Sequence, residues 1–232
     1  MQKNLTDYIF KNDVLNYESH LNGFTDSILQ SFDSKSKELN LESKIDDLLT
    51  GKIVNISENQ AAWHPKYRRK FDSIIPTKEN KSKYKNVVTL GIGGSFEGPK
   101  LLIESLNNDN SDINHIFITG SDPYEFKYKL SNLNPDETIF IVSSKSFTTD
   151  ETLETLKESI KWSGNMEKFI AITANKEEAA KYNIKEIIEF DKEIGGRYSI
   201  WSDINLPALY GPKSNFDPKL FLKGGHQADL DI

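Results

Sequence analysis

Short apolar runs after residue 86 alternate with amphipathic segments, and this alternation limits the possible folds more than any other feature of the sequence. A strand that is buried on both faces reads as a continuous apolar run, and parallel strands need crossover segments, usually helices, between them. The predicted strands are Val87–Gly91, Asn114–Thr119, Thr138–Ser143, Lys168–Thr173 and Glu186–Phe190, and the predicted helices are Glu97–Asn107, Pro123–Ser131, Thr149–Trp162 and Lys176–Tyr182. The pattern predicts an α/β fold, a three-layer αβα sandwich around a five-stranded parallel sheet.

The N-terminal part of the chain has a different pattern. Residues 1–85 are polar, and their apolar residues follow helical spacing, first from Leu15 to Leu29 and then from Leu39 to a stop at Gly51. We therefore predict a helical N-terminal segment over 1–85, with a boundary in the Lys-, Asn- and Ser-rich stretch 76–85. The α/β domain is then expected over 86–212.

The last residues, 213–232, are predicted to begin a further helical segment. Asp217 has the residue type of an N-cap, and Pro218 suits the first helical position. Gly224 is expected to lie beyond the end of that helix.

Composition excludes several functional classes. The 232 residues carry 29 basic and 35 acidic side chains, a net charge of −6, without a block of like charge. This gives no nucleic-acid or membrane footprint. The sequence has no cysteine, which excludes disulfides, thiolate metal sites and cysteine nucleophiles. The polar start and the lack of long apolar runs predict a cytoplasmic protein.

A glycine-rich turn follows the first predicted strand, in the stretch Gly91-Ile92-Gly93-Gly94-Ser95. Gly93 and Gly94 allow positive φ and leave main-chain N–H groups open to an anion, and Ser95 adds a hydroxyl donor at a helix start. The spacing fits neither the P-loop nor the dinucleotide fingerprint. A tight strand-to-helix connection that binds nothing is the alternative.

A second turn, after the third predicted strand, is rich in hydroxyls: Ser144-Lys145-Ser146-Phe147-Thr148-Thr149. A capping box between Thr148 and Glu151 is the alternative interpretation. It leaves Ser144, Lys145, Ser146 and Thr149 unexplained. Short donors beside one cation favour a phosphate monoester.

A third stretch, Gly195-Gly196-Arg197, carries one of only three arginines in the chain. The glycines would allow close approach of the backbone to a ligand, and Arg197 could face an anion. An ion pair of Arg197 with Asp203 or Glu193 on a surface loop is equally compatible with the sequence.

Taken together, these stretches resemble the glucose-6-phosphate isomerase family. The matching segments are Gly91–Ser95 with Gly98-Pro99, Ser144–Thr149 with Glu151-Thr152, Gly195–Ser199 with Trp201-Ser202, and Ala61–Arg68. The sequence departs from the family pattern at Gln60, Pro65 and Ser146.

The resemblance implies a sugar-isomerase domain and assigns roles to residues. Substrate-binding residues would be Gly94, Ser95, Ser144, Lys145, Ser146, Thr149 and Gly196, and the catalytic residue would be Arg197, facing the reacting end of the sugar. The implied reaction interconverts glucose 6-phosphate and fructose 6-phosphate through a cis-enediolate, with no metal or organic cofactor. A homodimer is implied for the full-length protein.

The same resemblance implies that the catalytic base is not in this chain. In the family the catalytic Glu, the ring-opening His and a further Lys lie downstream of the Gly-Gly-Arg segment. Glu97 and Glu151 lie beside the predicted phosphate site, where a base is misplaced, and none of the four histidines falls on the catalytic position. We therefore expect an N-terminal portion that binds a sugar phosphate but does not isomerise it alone. A stand-alone sugar-phosphate binding or regulatory module is the alternative.

Overall fold

A computed structural model describes residues 7–11, 16–20, 25–61, 84–106, 113–209 and 217–230. The predicted boundary stretch therefore lies largely outside the described residues, as does the segment 62–70 with His64 and Arg68. Within the described ranges, every helix is too short or too polar to cross a membrane.

The N-terminal part contains helices, as predicted, and also two short strand pairs. Its elements in chain order are β1 (Asp7–Lys11), β2 (Asn16–His20), α1 (Asp26–Glu38), α2 (Leu41–Leu49), β3 (Ile53–Asn55) and β4 (Gln60–Ala61). β1 pairs antiparallel with β2, and β3 with β4. The helix expected from Leu15 therefore begins only after Thr25, whose hydroxyl accepts from the Ile28 amide at 3.4 Å. Aromatic and β-branched residues in Asp7–Lys11 favour a strand there.

The end of the second predicted helix is confirmed. α2 ends at Leu49, and Gly51 has a φ of 73°, in the left-handed region. Glycine adopts this conformation without steric cost, which is why it ends helices.

The five-stranded parallel sheet is also confirmed. Its elements and their connections are β5 (Asn86–Leu90), α3 (Gly94–Leu106), β6 (Asn114–Ile118), α4 (Pro123–Leu130), β7 (Thr138–Ser143), α5 (Asp150–Ser163), β8 (Phe169–Thr173), α6 (Lys176–Ala180) and β9 (Glu186–Glu189), with 3₁₀ helices Pro135–Glu137, Met166–Lys168, Gly196–Trp201 and Asp203–Leu209. The strand order is β6-β5-β7-β8-β9. β5 and β7 are therefore neighbours, so the two turns predicted to bind phosphate leave the same edge of the sheet.

Apolar side chains cover both faces of the sheet. On one face, Ile139 and Ile141 of β7 form a buried cluster with α3 and the last two 3₁₀ helices. On the other face, Phe140 and Val142 join a second cluster with α4, α5 and α6. Every residue of β5, β7 and β8 is buried, which explains why their apolar residues occupy consecutive positions and do not alternate with polar ones.

The first helix of the sheet domain begins earlier than predicted. α3 starts at Gly94, and the carbonyl of Gly93 accepts from the amides of Phe96 and Glu97, each at 2.9 Å. Pro99 therefore lies inside the helix and beyond its first turn, whereas the predicted start at Glu97 would have placed it within the first turn. Because proline has no N–H, the Ser95 carbonyl has no donor at the usual i+4 position.

The final helix, α7 (Pro218–Leu230), confirms one prediction and corrects another. The Asp217 carboxylate accepts from the amides of Lys219 and Leu220 at 2.8 and 3.2 Å, as an N-cap should. The prediction that the helix ends before Gly224 is wrong, because α7 continues to Leu230. Phe221 stacks on Trp201 with ring centroids 4.4 Å apart, and this packing outweighs the low helix propensity of glycine.

Candidate functional site

A cavity of about 510 Å³ lies at the carboxyl edge of the sheet. Its lining comes from the turns that follow β5, β7, β8 and β9, and from the 3₁₀ helices near the end of the domain. This edge is where open α/β sheets bind ligands. Seven of the residues singled out in the sequence line it: Gly94, Ser95, Ser144, Lys145, Ser146, Thr149 and Gly196.

The glycine turn after β5 shapes the cavity through two different glycines. Gly93 has a φ of +59°, as predicted for a residue that needs the left-handed region. Gly94 serves instead for close approach, since a Cβ there would lie 2.0 Å from the Gly196 carbonyl oxygen and 2.9 Å from Ser199 Oγ. The Ser199 hydroxyl donates to the same Gly196 oxygen at 2.7 Å. The backbone of the glycine turn after β5 therefore contacts the backbone of the Gly195–Arg197 stretch, at Gly94 and Gly196.

The hydroxyl-rich turn after β7 does not form the capping box. The N-cap of α5 is Thr149, and its side chain makes no capping hydrogen bond in the described structure. Thr148 instead donates to Ser146 Oγ at 2.8 Å. The Thr149 hydroxyl lies 3.5 Å from Ser144 Oγ and lines the cavity. The capping interpretation is therefore wrong, and the first turn of α5 keeps N–H groups available to an anion.

Phe147 fixes the shape of this turn. Its side chain is fully buried, and its φ is 54°, which is rare for a bulky residue. The Phe147 amide donates to Ser144 Oγ at 3.2 Å. Because Ser144 accepts this bond, its own hydroxyl hydrogen can point to a ligand.

Lys145 connects two sides of the cavity. Its ammonium donates to the Ile194 carbonyl at 3.0 Å, and its own carbonyl accepts from the Ala174 amide at 3.0 Å. Burial lowers the pKa of Lys145, while Glu58 and Asp191 oppose this shift by favouring the charged form. The ammonium is thus partly desolvated, which strengthens its interaction with any anion in the cavity.

The N-terminal part of the chain contacts the residues that directly precede Gly195. The Ala61 amide donates to the Glu193 carbonyl at 3.1 Å, and Ala61 pairs with Ile194 as an isolated parallel bridge. Gly196 lines the cavity, but Arg197 is exposed and does not belong to the lining. The predicted catalytic arginine therefore follows a lining residue in the sequence but does not itself line the cavity.

Several lining residues were missed by sequence reasoning. They are Ser143, Thr152, Asn175, Lys192 and Ser199, among others that are apolar. Asn175 follows β8 and Lys192 follows β9. Both would have been found by the carboxyl-edge rule, that ligands bind at the carboxyl ends of the strands, had we applied it to every strand. Ser143 ends β7 and would have been read as strand core.

The charge of the lining favours an anion. Two lysines, Lys145 and Lys192, line the cavity, and no carboxylate or imidazole of the described residues does. Within the same part of the chain, no group of His, Asp and Glu side chains has the arrangement of a metal site. The arrangement can hold an anionic group by hydroxyls, helix N-termini and ammonium groups.

The parallel sheet, its two helical layers and the cavity at the carboxyl edge define a doubly wound α/β domain with a ligand site of the kind these folds share. A sequence model described as phosphoglucose isomerase matches residues 77–231. The chain belongs to the phosphoglucose isomerase family.

Individual relatives agree with this assignment. A glucose-6-phosphate isomerase of Legionella pneumophila is 34% identical over 205 residues, covering 74% of this chain and 41% of the relative. That of Saccharomyces cerevisiae is 28% identical over 270 residues, covering 99% and 48%. The chain thus spans about half the length of the curated relatives it matches.

Solved structures support the fold. A glucose-6-phosphate isomerase from Chlamydia trachomatis superposes with a TM-score of 0.72 at 22% identity, covering 89% of this chain and 46% of the other. A hypothetical protein from Thermus thermophilus gives a TM-score of 0.65 at 24% identity, covering 85% and 49%.

Proposed function

We propose that this chain is the N-terminal portion of an aldose–ketose isomerase that interconverts glucose 6-phosphate and fructose 6-phosphate. In this proposal the cavity at the carboxyl edge of the sheet binds the phosphate group. The whole protein would be cytoplasmic, as the sequence pattern predicts, and a homodimer, as the family resemblance implies.

The observation that carries the proposal is the composition of the cavity wall. The hydroxyls of Ser95, Ser144 and Thr149 converge there with the partly desolvated ammonium of Lys145. The helices α3 and α5 both begin at this wall, at Gly94 and Asp150. Hydroxyl donors, a cation and helix N-termini together suit a phosphate monoester.

The family's reaction moves a proton between C1 and C2 of the sugar. It therefore needs a phosphate anchor, a base, a group that opens the ring and a positive charge near the enediolate oxygens. The cavity supplies the anchor. Because the anchor is remote from C1 and C2, it contributes binding and orientation and leaves the proton transfer to other groups.

Arg197 is proposed to supply the positive charge at the reacting end. It follows Gly196, whose backbone lines the cavity, and a guanidinium is always protonated at physiological pH. A fixed donor at a developing oxyanion lowers the barrier by about 3 kcal/mol. In the enzyme of full length, Arg197→Ala is therefore expected to lower turnover more than substrate affinity.

The proton-transfer groups are proposed to lie outside this chain. Glu97 and Glu151 are exposed and do not line the cavity. The described lining contains no carboxylate and no histidine, so neither of the usual general bases for this proton transfer is found there. The chain alone is therefore expected to bind a sugar phosphate weakly and to be inactive as an isomerase.

A coupled assay for fructose 6-phosphate formation tests the proposal. We expect no turnover with the 232-residue chain and measurable turnover with the product of its complete reading frame. An inactive product of the complete reading frame would contradict the isomerase function and favour a sugar-phosphate binding or regulatory module. Activity of the 232-residue chain alone would contradict the proposed absence of the base.

A matched pair of lysine variants tests the phosphate site itself. Lys145→Ala should weaken glucose 6-phosphate binding, because it removes one of the two lysine ammonium groups that line the cavity. Lys157→Ala is the control, since Lys157 is exposed and pairs with Glu154 on α5 at 3.4 Å, away from the lining. Equal affinities of the two variants would show that Lys145 does not contact the ligand.

A further inference from the structure

One buried hydroxyl in the cavity wall has no hydrogen-bond partner. Ser143 is the last residue of β7, and only 1% of its surface is exposed. No group in the described part of the chain hydrogen-bonds to its Oγ atom. Buried hydroxyls are almost always hydrogen-bonded, so this exception requires an explanation.

Ser143 lies at the end of a strand that borders the cavity. Side chains alternate along a strand, so Ser143 shares the face of Ile139 and Ile141. Three apolar residues of the buried cluster on that face, Phe190, Ile194 and Ile204, also line the cavity. These side chains offer no acceptor, and Ser143 itself belongs to the cavity lining.

Ser143 lies beside the glycine turn that we propose to hold phosphate. A Cβ on Gly91 would lie 2.8 Å from Ser95 Cβ and 3.3 Å from Ser143 Cβ. The Gly91 backbone therefore packs against both serines, and its lack of a Cβ lets Ser143 lie close to Ser95. Ser144 and Lys145 follow directly in the chain.

We propose that Ser143 is a further ligand-binding residue, whose hydroxyl donates a hydrogen bond to a phosphate oxygen of the bound sugar phosphate at the floor of the cavity. This inference rests on the proposed function. A hydroxyl is both donor and acceptor, and an anionic oxygen is its strongest acceptor. The ligand thus supplies the partner that the protein does not.

Titration of the ¹⁵N-labelled 232-residue chain tests this role. The experiment compares four proteins: wild type, Ser143→Ala, Lys145→Ala and a control variant. Each is titrated with glucose 6-phosphate and with inorganic phosphate, and the affinities are obtained from the chemical-shift changes of the backbone amides. The control is Ser159→Ala, because Ser159 is equally buried but donates to the Thr155 carbonyl at 2.8 Å inside α5. We expect Ser143→Ala to weaken the binding of both ligands about tenfold, which corresponds to the loss of one charge-assisted hydrogen bond. Ser159→Ala should leave both affinities unchanged.

Urea unfolding of the same variants separates ligand binding from a structural role. Ser143→Ala removes an unpaired hydroxyl, so its unfolding midpoint should equal or exceed that of wild type. A lower midpoint with unchanged affinity would overturn the inference in favour of a structural serine.

The remaining outcomes distinguish this inference from the proposed function. If wild type binds, Lys145→Ala weakens binding and Ser143→Ala does not, the role of Ser143 is refuted and the phosphate site stands. If Ser143→Ala weakens glucose 6-phosphate but not inorganic phosphate, the hydroxyl contacts the sugar, and the phosphate assignment is wrong. If wild type binds neither ligand, the proposed function fails and this inference fails with it.

Discussion

The contact between the two glycine turns should make Gly94 the least replaceable residue of the cavity. In Gly94→Ala the new Cβ would lie 2.0 Å from the Gly196 oxygen and 2.6 Å from the Gly196 carbonyl carbon, whereas real Cβ contacts almost never fall below 3.0 Å. Both clashing atoms are backbone, so no side-chain rotation relieves them. Overpacking of this kind costs typically 1–3 kcal/mol, and we expect about 3 kcal/mol here.

The opposite side of the same contact provides a matched control. A Cβ on Gly196 would meet only the Gly94 nitrogen, at 4.0 Å, so Gly196→Ala should change the free energy of unfolding by less than about 0.5 kcal/mol. A second control is Gly98→Ala in α3, where the nearest atom is a side-chain carbon of Ile200 at 3.5 Å. Gly98 precedes Pro99, whose ring disfavours the helical conformation of a preceding residue that carries a Cβ. The gain in helix propensity is therefore offset, and this variant should lower the free energy of unfolding by less than Gly94→Ala does.

Urea denaturation followed by circular dichroism measures all three variants. With slopes of about 1–3 kcal/mol per molar urea, Gly94→Ala should lower the unfolding midpoint by 1 M or more. Equal midpoints for Gly94→Ala and Gly196→Ala would refute the reasoning, because they would show that the two turns do not meet backbone to backbone.

Three further predictions concern Lys145, Arg197 and Phe147. Because burial lowers the pKa of Lys145, the ammonium loses its proton as the pH rises, before the ordinary lysine value of 10.5 is reached. The affinity for glucose 6-phosphate should therefore decrease as the pH is raised toward 10.5, and Lys145→Arg should remove that decrease. Over the same pH window the contribution of Lys145 to the free energy of unfolding should rise, since the unfolded chain keeps its proton to higher pH. In steady-state assays of the enzyme of full length, Arg197→Ala should lower kcat about a hundredfold or more with a small change in KM, and a change in KM alone would contradict its catalytic role. Phe147 is fully buried against Tyr182, with ring centroids 5.9 Å apart, so Phe147→Ala should lose about 3–5 kcal/mol in urea unfolding, and a loss below about 1 kcal/mol would contradict its place in the core.

The sheet was predictable from the sequence because its signal is local. β7 is buried along its whole length, so the run Thr138–Ser143 is apolar or hydroxyl-bearing throughout and its predicted and observed bounds coincide. The positive φ of Gly93 also follows from residue type. The carboxyl-edge rule then brings the turns after β5 and β7 together without further information.

Features that depend on contacts between distant residues were not predictable. Gly94 and Gly196 are far apart in sequence, and nothing local shows that one lacks space for a Cβ while the other does not. Gly224 lies inside α7 because Phe221 stacks on Trp201, a tertiary contact that overrides the glycine signal. The missing partner of Ser143 likewise becomes visible only when every neighbouring atom is placed.

The central claim is that the cavity at the carboxyl edge of the sheet binds the phosphate end of a sugar phosphate. Parallel titrations of the ¹⁵N-labelled chain with glucose 6-phosphate and with glucose test it most directly. The account predicts that glucose 6-phosphate shifts the amides of Gly94, Ser95, Ser144 and Gly196, and that glucose at equal concentration does not. Equal shifts from both sugars, or shifts confined to residues outside the cavity, would contradict it.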